Sequence, residues 1–415
     1  MELYYACKNG NLEDVKRLLM VTSDVNICDH TFGMTPFNIA CKNGHLEIVK
    51  YLLLHGKYID YNKVDRHGCS PLFNACVERH LKVVHALVKD DRININKPTN
   101  QNMTPLNMAC EAQEPNIVSL LLRHPQIDVN KANVVGKTPI YTACNTGNHA
   151  IIRMFLKDNR VNINKSEKYY RCPPFLLACQ KCRPETIRLF LKRLDLDINV
   201  VDCQGQTAFS NALKNSNLNS CQVIPIMLLK DKRIDLTKQQ FHEYIMSPFY
   251  KALDSLNYPV IRAMMRDSRV MYFQNGDLPI MKIFYRNKFE NTKDIINLCE
   301  AYLKVLRSTH NIQDKYGYTI LNRVICMDEE YIDLIEYLIG NPYYTDLNIK
   351  TIFDKSVYDI ALARRWYRTV ELLDNYLLSD HYSNKSIGEK IIYLCSNGYI
   401  KEAYEMMYPR KKVII

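Results

Sequence analysis

One short motif in this sequence has residue types that could bind a metal. Cys179-x-x-Cys182 has the pair spacing of zinc ligands, and Cys172 and Cys203 lie near it along the chain. Zinc sites usually combine two such tight pairs, and only one is present. Because Cys179 also stands at a position that recurs through the chain, packing is the favoured interpretation. We therefore predict no bound metal, with zinc at Cys179 and Cys182 as the alternative.

Two further motifs are incomplete versions of known chemical signatures. Gly136-Lys137-Thr138 is similar to the end of a phosphate-binding loop, but Lys131 stands where that loop needs its first glycine. His242-Glu243 begins a zinc-protease motif that has no second histidine at the required spacing. The sequence therefore predicts no cofactor and no enzyme activity, although a triad assembled from residues far apart in sequence stays open.

Any functional residue must be positioned by a repeat that dominates the sequence. Ala6-Cys7-Lys8-Asn9-Gly10 recurs as Ala40-Cys41-Lys42-Asn43-Gly44, and successive Ala-Cys pairs are spaced by 34, 35, 34, 34 and 35 residues. The later pairs are Ala75-Cys76, Ala109-Cys110, Ala143-Cys144 and Ala178-Cys179. A turn pair precedes the last five alanines, namely Thr35-Pro36, Ser70-Pro71, Thr104-Pro105, Thr138-Pro139 and Pro173-Pro174.

Each part of the repeat has a physical reason. A Thr or Ser hydroxyl can cap a helix, and proline suits the first turn because no amide donor is needed there. Small Ala and Cys side chains let two helices approach closely. An apolar stripe such as Ile48, Val49 and Leu52 predicts a second helix packed antiparallel on the first. One unit cannot bury its apolar faces alone, so the units must stack, with the recurring cysteines as buried, reduced thiols.

With these motifs the sequence resembles the ankyrin-repeat family, in the Thr-Pro-Leu-x-x-Ala pattern and in Gly-His-Leu-Glu-Ile-Val-Lys-x-Leu-Leu up to Leu53. The resemblance implies an all-α ankyrin-repeat solenoid of about twelve helix-turn-helix units with short β-hairpin fingers. We expect regular repeats with an N-terminal cap over 1–213, and divergent repeats with insertions over 214–313. Further repeats and a C-terminal cap follow over 314–415, all in one continuous solenoid. An insertion at 215–220 and a helix interrupted at Pro225 are expected in the divergent part.

The composition indicates a folded protein of a reducing compartment. The fifteen cysteines are an odd number, no apolar run is long enough to span a membrane, and the N-terminus lacks the basic and apolar regions of a secretory signal. A cytoplasmic location is predicted, with the nucleus as the alternative.

The formal net charge of +11 is unevenly distributed, because residues 151–200 carry eleven basic and only five acidic side chains. Two columns of basic residues recur with the repeat: Lys63, Lys97, Lys131 and Lys165, and Arg92, Arg160, Arg233 and Arg269. They could form a ladder for an acidic partner. Exposed loop chemistry repeated by internal duplication is the favoured interpretation.

The resemblance places recognition residues on the fingers and at the ends of the first helices. The finger positions are Phe32, Met34, Arg66, His67, Gln101, Met103, Val134, Val135, Lys137, Tyr169, Tyr170, Gln204 and Gln206. The helix-end positions are Lys42, Asn43, Val77, Glu78, Glu111, Ala112, Asn145, Thr146, Gln180 and Lys181. Apolar tips on consecutive fingers indicate a binding surface centred on units four to six. Packing of Tyr169 and Tyr170 on neighbouring fingers is an equal alternative.

Together these features predict a non-enzymatic protein-protein interaction scaffold that binds a protein or peptide on its concave finger surface. The expected partner is acidic with apolar anchors, and the expected oligomeric state is a monomer. Two alternatives remain open: a substrate adaptor for ubiquitin-type machinery, and a basic surface that binds nucleic acid or anionic membrane.

Overall fold

The computed structural model describes residues 1–181, 183–214, 223–236, 252, 258–265, 267, 293, 295–299, 313–314, 316–327, 330–340, 347 and 349–379. The chain consists of two compact units, Met1–Pro248 and Phe249–Ile415. The insertion expected at 215–220 lies outside the described residues, as do residues 380–415 of the segment 314–415 in which the C-terminal cap is expected.

The described helices of the first unit form consecutive helix-turn-helix pairs. Their bounds are α1 Glu2–Asn9, α2 Leu12–Val21, α3 Pro36–Lys42, α4 Leu46–His55, α5 Pro71–Val77, α6 Leu81–Val88, α7 Pro105–Glu111, α8 Pro115–Leu122, α9 Pro139–Thr146, α10 His149–Lys157, α11 Pro174–Gln180, α12 Pro184–Leu191, α13 Ala208–Lys214 and α14 Val223–Lys230. First helices pack on the first helices of the next pair, and second helices on second helices. This stacking confirms the predicted all-α repeat solenoid.

Helix starts and the core follow the sequence pattern. The Thr35 hydroxyl accepts a hydrogen bond from the Asn38 N–H at 3.1 Å, and Ser70, Thr104 and Thr138 cap their helices in the same way. The cysteines of the Ala-Cys pairs are buried against neighbouring first helices, as predicted. Burial raises the pKa of the Cys7 thiol to about 12.

Pro225 does not interrupt its helix, contrary to the expectation. It is the third residue of α14, which continues to Lys230. An N–H in the first turn of a helix has no intrahelical partner, so proline removes no hydrogen bond there.

The fingers are tight turns in the part of the chain that the structure describes, not hairpins with paired strands. The only β contact among those residues is an isolated antiparallel bridge between Val201 and Thr207. Each finger instead donates a backbone hydrogen bond to the finger before it. In the first of these bonds, the Arg66 N–H donates to Phe32 O at 2.9 Å.

A column of asparagines joins the segments that follow the second helices of successive repeats, and we name it the asparagine ladder. Its members are Asn26, Asn62, Asn96, Asn130, Asn164 and Asn199. Asn96 is typical: its Nδ2 donates to Gln126 O at 2.7 Å, and its Oδ1 accepts from the Asp128 N–H at 2.9 Å. Each amide therefore ties two backbone groups of the following repeat to its own.

The second unit contains the same local elements in its described part. Their bounds are α15 Tyr258–Met265, α16 Ile320–Ile325, α17 Ile332–Ile339, α18 Val357–Ala363 and α19 Tyr367–Ser379. Thr319 caps α16, and Ser356 caps α18 in a capping box with Asp359. Among the described helices of the chain, none is long and apolar enough to cross a membrane.

Candidate protein-binding surface

An acceptor side chain at the start of each finger fixes the conformation of that finger. The Asp29 carboxylate accepts hydrogen bonds from the N–H groups of Thr31, Phe32 and Met34 at 3.0, 2.9 and 2.6 Å. Burial alone would raise the pKa of the Asp29 carboxyl, but these N–H groups outweigh it and hold that pKa below its ordinary value. The same position is taken in later fingers by Asp65, Thr99, Asn133, Glu167 and Asp202.

The finger of residues 167–172, which we name the tyrosine finger, presents two aromatic rings. Glu167 is buried, and its carboxylate accepts hydrogen bonds from the N–H groups of Tyr169 and Tyr170. The backbone is thereby held, while the two residues remain 72% and 64% exposed. Neighbouring fingers do not cover these rings. The alternative in which Tyr169 and Tyr170 pack on neighbouring fingers therefore does not agree with the structure.

Adjacent fingers are joined at their tips by backbone hydrogen bonds. The Val134 N–H donates to Gln101 O at 3.0 Å, and the Lys168 N–H donates to Val135 O at 2.9 Å. Gly136 has a φ of +89°, and a Cβ there would lie 2.9 Å from the Lys168 nitrogen. The finger turn therefore accounts for Gly136, and no phosphate-binding loop is needed to explain it.

Most of the predicted finger residues lie at the surface. The exposed ones are Phe32, Arg66, His67, Gln101, Val134, Tyr169, Tyr170 and Gln204. Met103, Val135, Lys137 and Gln206 are half-buried.

Two predicted partner contacts are wrong, because their side chains are buried. Met34 is only 3% exposed. It directly precedes the Thr35 cap, where Asp29 holds its N–H and the chain turns into the core. Ala112, at the end of α7, is 9% exposed. Neither residue can touch a partner in this conformation.

The arginine column is used inside the array. Arg92 donates to Leu53 O at 2.7 Å and pairs with Asp90. Arg160 donates to Leu122 O and pairs with Asp158. Arg233 donates to Leu191 O and pairs with Asp231. Each arginine thus satisfies a carbonyl in the last turn of a second helix, where the helix dipole also favours a cation. Arg269 lies outside the described residues.

The lysine column has a similar structural role. The ammonium groups of Lys63, Lys131 and Lys165 donate to the backbone carbonyls of Asn26, Asn96 and Asn130, at 3.1, 3.4 and 3.2 Å. Those carbonyls belong to the asparagine ladder of the preceding repeat. This geometry favours the interpretation of the columns as repeated loop chemistry.

Only part of the cysteine motif lies within the described residues. Cys179 is buried with the other repeat cysteines, and Cys182 lies outside the described residues. Within the ranges that the structure covers, no group of three or more His, Cys, Asp or Glu side chains could hold a metal ion.

Sequence reasoning missed the residues that set the shape of the fingers. The acceptor stands five or six residues before each cap: Asp65 precedes Ser70, Asn133 precedes Thr138, and Glu167 precedes Pro173. The residue type varies while the spacing persists, so a search for a hydrogen-bond acceptor at that spacing would have found them.

Comparison with known proteins agrees with this architecture. No curated protein matches the chain. A family model described as ankyrin repeats (3 copies) matches residues 3–99 and 92–167. Those matches cover the first five helix pairs, from α1 and α2 to α9 and α10, and the fingers between them. Residues 3–167 of the chain are therefore ankyrin repeats.

Proposed function

We propose that this protein is a non-enzymatic scaffold that binds a protein partner on the fingers of its regular repeats. Ankyrin repeats generally mediate protein-protein interaction. The proposed surface centres on the finger of Val134 and Val135 and on the tyrosine finger. The observation that carries the proposal is the pair of exposed rings, Tyr169 and Tyr170, on a backbone held by the buried Glu167.

The surface is ordered before a partner binds. Acceptor side chains hold each finger, and inter-finger hydrogen bonds join Gln101 to Val134, Val135 to Lys168 and Tyr170 to Cys203. Rigid aromatic side chains on a fixed backbone lose little conformational entropy on binding. Tyrosine is also enriched among the residues that dominate protein-protein affinity.

Charge beside the rings favours an acidic partner with apolar anchors. Lys168 and Arg171 flank the two tyrosines and are exposed. Three other cations of residues 151–200, namely Arg160, Lys165 and Arg193, donate to backbone carbonyls of the array. Lys168 and Arg171 therefore place two exposed positive charges directly beside the tyrosine rings. The same internal use of the basic columns weakens the alternative of a nucleic-acid or membrane surface.

The proposal includes repeats beyond the matched segment. In the second unit, Asp314 accepts hydrogen bonds from Tyr316 and Tyr318 N–H groups before the Thr319 cap. Likewise, the Thr351 hydroxyl accepts hydrogen bonds from the Phe353 and Lys355 N–H groups before the Ser356 cap. These two acceptor-and-cap sets reproduce the finger of the first unit and support ankyrin-like repeats within residues 314–379.

The test compares partner binding by the parent and by the double variant Tyr169→Ala/Tyr170→Ala. The partner is first captured from the cells that express the chain, by cross-linking mapped to the fingers. We expect the double variant to bind about 5–150-fold more weakly, which corresponds to about 1–3 kcal/mol. The matched control is Tyr58→Ala/Leu194→Ala, which removes two residues that are 75% and 93% exposed outside the fingers. Equal binding by both double variants would refute the proposed surface.

A further inference from the structure

The second helices of three consecutive repeats form an open groove that contains no finger residue. It is lined by α4, α6 and α8 and their ends, and its volume is about 940 Å³. We name it the outer-helix groove. Its lining is therefore separate from the finger surface of the proposed function.

Leucines supply the apolar surface of this groove. Leu53, Leu54, Leu81 and Leu120 all line it. Leu54 is 79% exposed and Leu81 is 39% exposed, although both lie within regular helices. Inward positions of the same helices, such as Leu52 and Leu87, are fully buried. These leucines are thus additional to the core of the repeats, and together they leave a contiguous apolar surface in solvent.

The lining of the groove is basic. Lys50, Lys82, Lys89 and Arg123 line it, and Asp90 is the only acidic lining residue. Lys50 is paired with Glu47 at 2.9 Å, so the unpaired charge comes from the other three. Asp90 is already paired with Arg92 at 2.6 Å. Among the described residues, Lys82, Lys89 and Arg123 form no ion pair and donate no side-chain hydrogen bond. The groove therefore presents uncompensated positive charge around an apolar floor.

We propose that the outer-helix groove binds an acidic amphipathic helix of a partner protein. Its apolar face would cover Leu54, Leu81 and Leu120, and its carboxylates would face Lys82, Lys89 and Arg123. Charge complementarity selects this occupant over a neutral or basic helix. The inference goes beyond the proposed function, because it assigns a second partner surface with its own chemistry.

The dimensions of the groove fit a short helix. Packed helices lie about 8–10 Å apart, so the span from α4 to α8 is about 16–20 Å. A helix rises about 1.5 Å per residue, so about 11–13 residues cross the three helices. A helix satisfies its own backbone groups, and the described part of the groove offers no strand edge to pair with an extended peptide.

The experiment uses the full chain and a fluorescein-labelled acidic peptide of about 14 residues. The peptide carries leucines at i, i+3, i+4 and i+7 with glutamates elsewhere, and a side-chain staple holds it helical. One control peptide has the leucines scrambled, and another replaces glutamate by lysine. Binding is measured by fluorescence anisotropy at two salt concentrations.

We expect saturable binding of the acidic peptide that weakens with salt and is at least about tenfold weaker for either control peptide. Leu54→Glu and the double variant Lys82→Glu/Arg123→Glu should each weaken binding at least about tenfold. These side chains are exposed, and circular dichroism melting checks that the variants fold. Leu194→Glu is the matched control, because Leu194 is 93% exposed outside the groove, and it should bind as the parent does.

Several outcomes would overturn the inference. One is the absence of saturable binding, and another is equal binding of the lysine peptide. If Tyr169→Ala/Tyr170→Ala abolishes peptide binding while Leu54→Glu does not, the peptide binds the fingers. Sedimentation that shows a dimer dissociated by Leu54→Glu would identify a second copy of the chain as the occupant. Tight binding to anionic vesicles through the same residues would identify a lipid surface instead.

Discussion

The asparagine ladder makes a quantitative prediction about how the repeats hold together. Asn96→Ala removes two hydrogen bonds to the next repeat, from Nδ2 to Gln126 O at 2.7 Å and from the Asp128 N–H to Oδ1 at 2.9 Å. Both bonds are partly exposed to solvent, so each contributes about 0.5–1 kcal/mol net. The free energy of unfolding should therefore fall by about 1–2 kcal/mol.

The assay is urea unfolding of the full chain followed by circular dichroism, together with hydrogen exchange at the Asp128 amide. Exchange should be faster in Asn96→Ala, because that amide loses its acceptor. Asn116→Ala is the matched control. Asn116 is an exposed asparagine of α8 whose side chain forms no hydrogen bond with described residues. Its substitution should change stability by less than about 0.5 kcal/mol. If the two variants were equally stable, and Asp128 exchanged at the parental rate, the ladder would not be holding the repeats together.

Three further predictions concern the cysteines, the first finger and the glycine turn. Cys76 should resist a thiol reagent in the native protein, because burial raises its pKa, while the exposed Cys203 should react at once; equal rates would contradict the burial. The pKa of the Asp29 carboxyl lies below its ordinary 3.8, so the ionised carboxylate stabilises the folded state. This stabilisation is present above pH 3.8 and is lost as the pH falls through the lowered pKa. The melting temperature of the parent should therefore fall more steeply below about pH 4 than that of Asp29→Asn, and parallel curves would refute this. Gly136→Ala should cost about 1–3 kcal/mol in urea unfolding, since φ is +89° and the added Cβ would meet Lys168 backbone; a neutral result would show that the turn relaxes freely.

Local chemistry in the sequence predicted much of the repeat. The caps at Thr35, Ser70, Thr104 and Thr138 and the buried Ala-Cys positions follow from residue types a few positions apart. The hydroxyl of the cap residue bonds within the helix that it begins, and the small Ala and Cys residues lie in that same helix. Their roles can therefore be inferred without knowing the neighbouring repeat.

Interactions between repeats were harder to predict, because their partner atoms are backbone carbonyls of another repeat. Repeated loop chemistry is the favoured interpretation of the Arg92 column, but the sequence does not reveal that Arg92 donates to Leu53 O about one repeat earlier. The asparagine ladder has the same property, because both partners of the Asn96 amide lie in the next repeat. The repeat alignment places Met34 on a finger, but its side chain turns inward and is buried. Alignment to the repeat gives the position of Met34 along the chain, but not the direction of its side chain. That direction depends on the turn held by the acceptor Asp29.

The proposed function requires that the tyrosine finger contacts a protein partner. A photo-crosslinking amino acid placed at Tyr170 tests it directly, with the same amino acid at Tyr58 as the matched control. Both residues are well exposed, and only Tyr170 lies on a finger tip. In the cells that express the chain, position 170 should give a discrete protein adduct that is absent at position 58 and lost in Tyr169→Ala. The claim is contradicted if both positions give the same adducts, or if position 170 gives none while the partner still binds.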